Sequence, residues 1–153
     1  MKRKKANLND LKLCVDRTVP GEHEIDAAIL AINENPDNEP PPLIIRPGVP
    51  VHPSHIALAT PKRWTNGRKL KIKFLDGTST QKRLTQKYAE VWLQFANVGL
   101  DFNGGADAEI RVSFRQPGSW SALGTDSLLT NAFPKSQATM NYGWLRDDSA
   151  EGE

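Results

Sequence analysis

Histidine and cysteine are scarce, and both stop early. The only cysteine is Cys14, and the three histidines are His23, His52 and His55, so residues 56–153 contain neither type. One cysteine excludes an internal disulfide framework. With no imidazole after His55, residues 56–153 offer no serine–histidine or cysteine–histidine pair. Aromatic residues are missing from the other end: all eleven lie at Trp64 or later. No run of even ten apolar residues occurs, which excludes a membrane-spanning helix read from hydropathy. The basic start Met1-Lys2-Arg3-Lys4-Lys5 is followed by Ala6-Asn7-Leu8-Asn9-Asp10 rather than by an apolar stretch, so no signal peptide is seen and the compartment stays open.

What is present divides at about residue 62. Nine of the eleven prolines lie in residues 1–62, seven of them between Pro36 and Pro53, a density that favours extended chain. Residues 22–34 read as a short helix, with Ile25, Ala28, Ile29 and Ile32 on one stripe of a 3.6-residue period and acidic residues at its positive end. Residues 1–62 are therefore read as a leader with one short helix and a Pro-rich linker. Residues 63–153, which hold the aromatics, are read as the folding domain.

In that domain Leu70, Ile72 and Phe74 alternate with lysines as a strand. Thr78 and Gln81 have the spacing of a capping box, which predicts a helix over 79–98 with Leu84, Tyr88, Val91, Trp92 and Phe95 as its buried stripe and Gly99 as its left-handed stop. Leu100–Phe102, Glu109–Arg115 (Ile110, Val112 and Phe114 inward) and Ala138–Tyr142 read as further strands. A strand, a long helix and another strand favour a right-handed crossover. The expected class is α/β: a mixed, mostly parallel twisted sheet with one long helix packed on it.

Chemistry is thin when read residue by residue. His52-Pro53-Ser54-His55 pairs two imidazoles, but the prolines argue against a helix presenting both, and a structural zinc site wants four ligands. His23-Glu24 opens like H-E-x-x-H, but Ala27 stands where the second histidine is needed. Ser119, Ser121 and Thr125 have no base in sequence reach. Asp107/Glu109 and Asp147/Asp148 are carboxylate pairs in turn-like or terminal contexts. Residues 63–100 carry a net charge of +6, with Lys69, Lys71 and Lys73 on the strand and Lys82, Arg83 and Lys87 on the helix. A solvated charged face accounts for these, and nucleic-acid binding is the weaker alternative because the aromatics fall on faces expected to be buried.

Several runs, in order, resemble bacterial and fungal astacin-like zinc metallopeptidases of the metzincin clan. Arg63–Gly77 resembles the opening strand, and Tyr88-Ala89-Glu90-Val91-Trp92 the first helix. Ala108–Phe114 is similar to the strand "ADIRISF", Gly118–Thr125 to "GSWSxxGT", and Ala138–Leu145 to "ATMNxGWL". Leu13-Cys14-Val15-Asp16-Arg17 through Asn35-Pro36 is similar to the leader before such domains. The resemblance implies the N-terminal subdomain of a zincin-like fold and a zinc-dependent metalloendopeptidase acting on peptides or proteins. In the family an H-E-x-x-H-x-x-G-x-x-H helix then supplies three zinc ligands and a general base. That helix, its zinc ligands and the following Met turn have no counterpart before Glu153, so the chain as it stands is expected to be truncated before the metal site, to bind no zinc and to be inactive. The resemblance further implies that an extended peptide is received along an antiparallel edge strand containing Trp120, Ser121, Ala122 and Leu123. The alternative is a non-catalytic peptide-binding protein using the same strand. No membrane partner is expected.

Overall fold

The computed structural model describes residues 12–40 and 61–149. The N-terminal lysine cluster and the His52–His55 pair lie outside them, as does most of the Pro-rich linker.

Six strands form one sheet. They are β1 (Cys14–Arg17), β2 (Lys69–Phe74), β3 (Gly99–Asp101), β4 (Ile110–Ser113), β5 (Ser119–Ala122) and β6 (Met140–Tyr142), in the order β1-β5-β6-β4-β2-β3. Every pair is parallel except β5 with β6. Among the described residues two α-helices accompany the sheet, α1 (Glu24–Glu34) and α2 (Ser79–Val91). The mixed, mostly parallel α/β class expected from the sequence is the class found.

The start of α2 follows from its cap. The Thr78 hydroxyl accepts from the Gln81 amide at 3.1 Å, and the Gln81 side chain accepts from the Thr78 amide at 2.9 Å. Two orphan donors of the first turn are thereby satisfied. The helix is shorter than 79–98. It tightens into a 3₁₀ turn at Trp92–Gln94, and Gly99 opens β3 instead of ending the helix with a positive φ. Its expected stripe is largely wet: Trp92 is 69% and Phe95 77% exposed. Leu84, Tyr88 and Trp92 stand across a cleft of about 410 Å³ from Ile72, Val112 and Met140 on the sheet. Phe102, Phe74, Phe114 and Tyr142 follow one another at centroid distances of 5.9, 6.2 and 6.1 Å, and the first and last of them line the cleft as well.

The α1 helix also turns a different face to the protein than the isoleucine stripe predicts. Of the expected stripe Ala28 is buried but Ile25 and Ile29 are exposed, and Ala27 and Ala31, off that stripe, are buried instead. Alanine's small side chain lets the helix approach the 3₁₀ turn Gly124–Leu128, and Val19, Ala27, Ala122, Leu129 and Phe133 close a core between them. This core lies apart from that of Ile72, Val112 and Phe114.

Candidate functional site

The site is built around β5. Trp120, Ser121 and Ala122 lie in the strand, and Leu123, exposed, follows it. On one side β5 pairs antiparallel with β6, with Ser119 opposite Tyr142, Trp120 opposite Asn141 and Ser121 opposite Met140. Its other side is not open. The leader strand β1 pairs along it in parallel, setting Cys14 beside Ser119, Val15 beside Trp120, Asp16 beside Ser121 and Arg17 beside Ala122. The four residues expected to receive a peptide are thus brought together, and three of them are already paired with a strand of the same chain. The leader strand itself was not legible as an element, because Cys14-Val15-Asp16-Arg17 is too short for its alternation to stand out.

Neighbours in register share a face of the sheet. Cys14, Ser119 and Tyr142 form one row; Val15, Trp120 and Asn141 form the next and face the other way. In the first row, burial pushes the Tyr142 phenol above its usual pKa, and the neighbouring Cys14 adds to the effect. Ser119 Oγ is buried there with no hydrogen-bond partner among the described residues. On the second face, the Arg17 guanidinium lies 4.5 Å from the Trp120 ring centroid and 5.6 Å from that of Phe133.

Polar side chains that the sequence did not single out hold this strand in place. Asn141 Nδ2 donates to the carbonyls of Gln116 (2.9 Å) and Gly118 (2.6 Å), and its Oδ1 accepts from the Gln116 amide, fixing the turn into β5. Arg111 is 1% exposed, although alternation alone would place it on a solvent face. Its guanidinium donates to the carbonyls of Phe133 (2.8 Å), Gln137 (2.7 Å) and Ala108 (3.0 Å), which pins the loop between β5 and β6. Burial lowers its pKa from the ordinary arginine value. At the exit of β5, Gly124 has a φ of +49°, and a Cβ there would stand 1.8 Å from the Lys62 carbonyl oxygen. The Thr125 amide donates to that carbonyl, and Lys62 Nζ lies 3.3 Å from Asp126. Burial raises the pKa of Asp126, a shift that Lys62 opposes in part.

Residues 34–38 are tied to residues 63–109 at a second place. Asn38 Nδ2 donates to the Arg63 carbonyl at 2.8 Å and Asn38 Oδ1 accepts from the Arg63 amide at 3.1 Å. Arg68 bridges Glu34 of α1 at 2.8 Å and Glu109, just before β4, at 2.9 Å. Part of the basic character of residues 63–100 is spent in such pairs: Arg68 serves two carboxylates and Lys69 lies 3.6 Å from Asp101. Of the other candidates, His23 approaches Asp26 at 4.0 Å, and Ser121 Oγ donates to the Ala122 carbonyl. Among the described residues no three of His, Cys, Asp and Glu come together as a metal's ligand set. Among them, too, no helix is long and apolar enough to cross a membrane.

No family model matches the chain, and no curated protein matches it. Two solved structures of myroilysin, a metallopeptidase, do. One is 31% identical over 58% of this chain and 42% of its own, with a TM-score of 0.53. The other is 27% identical over 90% of this chain and 51% of its own, with a TM-score of 0.54. At 90% coverage the second match takes in residues on both sides of position 62. The chain spans about half the length of the solved chains it matches. Its six-stranded sheet and two helices make a metallopeptidase-like fold.

Proposed function

We propose that the fold is of the astacin-like, zinc-endopeptidase type and that this chain's own part in it is peptide recognition along β5, with the leader strand β1 lying where an extended peptide would lie. The observation that carries this reading is the pairing itself. β5 is antiparallel to its inner neighbour and offers its remaining edge to four residues of the leader. Main-chain hydrogen bonds along such an edge supply affinity with little demand on sequence, and pockets for alternate side chains supply selectivity. The ordered motif series from Arg63 to Leu145 and the likeness to myroilysin support the family part of the reading. Proteolysis by an enzyme of this type runs on zinc; the described residues assemble no set of ligands for it, so no hydrolytic step is assigned to them.

An open-edge variant of the whole chain tests this. In a parallel pair, inward-facing amides alternate along the strand, so Val15→Pro/Asp16→Pro removes one of them whichever way β1 faces. An acetylated peptide with the sequence of residues 12–19, serine replacing Cys14, is expected to bind the variant and not the parent chain, and chelator is expected to leave binding unchanged. A variant that still melts cooperatively yet binds no peptide at millimolar concentration would overturn the reading. Loss of binding on chelation would move the recognition element to a metal.

A further inference from the structure

We propose that Trp120 and Phe133 form a subsite selective for an arginine side chain, occupied in the intact chain by Arg17 as an internal ligand; this rests on the reading of β5 as a peptide-binding strand. The two rings differ in how they are held, and together they flank the Arg17 guanidinium. Phe133 is 2% exposed and locked in the core with Val19, Ala27, Ala122 and Leu129. Its amide donates to the Leu129 carbonyl, and its carbonyl accepts from Arg111. Trp120 is half-buried, and its strand is paired to Asn141 of β6 independently of β1. The Phe133 wall and the β6-paired strand that carries Trp120 do not depend on β1, which limits the ordering cost of binding.

Arg17 lies diagonally across from Trp120, in register with Ala122 two residues further on, and its guanidinium reaches back over the indole at 4.5 Å and the phenyl at 5.6 Å. Among the described residues it makes no ion pair with any carboxylate. What the chain offers this cation is two ring faces, whose quadrupoles attract positive charge. A planar guanidinium stacks on such faces better than a compact, strongly hydrated ammonium does. A side chain of the same length without charge would gain only the apolar contact. The subsite thus reads both charge and planarity, and an extended peptide bearing arginine at this register is the ligand it fits.

The experiment uses the open-edge variant of the full chain, Val15→Pro/Asp16→Pro, carrying also Arg17→Ala so that the tethered side chain cannot refill the subsite. Three forms of the 12–19 peptide, with arginine, lysine or norleucine at the position of Arg17, are titrated by fluorescence anisotropy. The arginine peptide is expected to bind about 5-fold more tightly than the norleucine peptide, with lysine between them. Adding Trp120→Leu is expected to bring the three affinities together. Equal binding of all three peptides overturns the arginine subsite and leaves β5 standing as a peptide strand. Binding of none of them removes that reading and the subsite with it. A second measurement needs no open edge: in the otherwise unaltered chain, amide exchange at Val15–Arg17 should quicken about 5-fold with Arg17→Gln and less with Arg17→Lys. Equal effects of the two substitutions overturn the proposal.

Discussion

The bridge made by Arg68 carries a quantitative test of how the leader is held. Its guanidinium meets Glu34 at 2.8 Å and Glu109 at 2.9 Å, and both carboxylate side chains are 10% exposed while Arg68 is 30% exposed. Glu109 has a second donor, the Lys71 amide at 2.8 Å, whereas Glu34 Oε1 is buried without one among the described residues. Replacing Arg68 by methionine keeps much of the stem's packing and strands two carboxylates. Breaking a fully buried pair costs roughly 3–5 kcal/mol; the partial exposure of Arg68 admits water and lowers the expected loss to about 2–3 kcal/mol. Glu34→Gln keeps a hydrogen-bond acceptor and loses only the charge assistance, about 1–2 kcal/mol. Because the two changes share one interaction, the double variant should lose less than their sum, by about 1 kcal/mol or more. Urea melts of the four proteins measure the cycle. An Arg68→Met cost below about 0.5 kcal/mol, or strict additivity, refutes the claim that this bridge docks the helix.

Three more outcomes follow from particular atoms. Gly143→Ala places a Cβ 2.0 Å from the Gln116 carbonyl oxygen and 2.3 Å from that of Gly118, so the turn into β5 must shift; a loss of about 2 kcal/mol or more is expected by denaturant melt. The raised pKa of Asp126 means that the folded state holds its proton more tightly than the unfolded chain, so this group's contribution is present at low pH and is lost as pH rises through its folded value. The stability of the parent relative to Asp126→Asn should therefore fall as the pH is raised from acid towards neutrality, and a difference that grows instead would contradict the burial argument. Trp92→Ser and Phe95→Ser, which would be core truncations had the sequence stripe been buried, should each change stability by less than about 0.5 kcal/mol, as surface substitutions do.

The sequence and the structure agree most where local rules act alone. Thr78 and Gln81 marked the start of α2 because a capping box is a four-residue affair. The alternation of Leu70, Ile72 and Phe74 marked β2 because its other face carries lysines. In β4 the same rule found Val112 and Phe114 but missed that Arg111 and Ser113 are buried as well. Arg111 is sunk among carbonyls of a loop more than twenty residues away, and no local pattern records that. The buried face of α1 departs from its isoleucine stripe because small Ala27 and Ala31, not the larger side chains, permit the close approach to the 3₁₀ turn. The stripe of α2 is largely exposed for a different reason: periodicity gives a helix an apolar face without supplying anything to cover it. For the candidate site, Trp120 to Leu123 are singled out by resemblance alone, while the strand paired with them was invisible until three dimensions brought residues 14–17 beside them.

The central claim is that β5 receives an extended peptide and that β1 now occupies that place. Amide hydrogen exchange at residues 119–122, measured with and without added 12–19 peptide on the Val15→Pro/Asp16→Pro chain, tests it most directly. The account predicts that these amides exchange faster once β1 is broken and regain protection when the peptide is added. Unchanged protection on breaking β1, or no recovery with peptide, contradicts it.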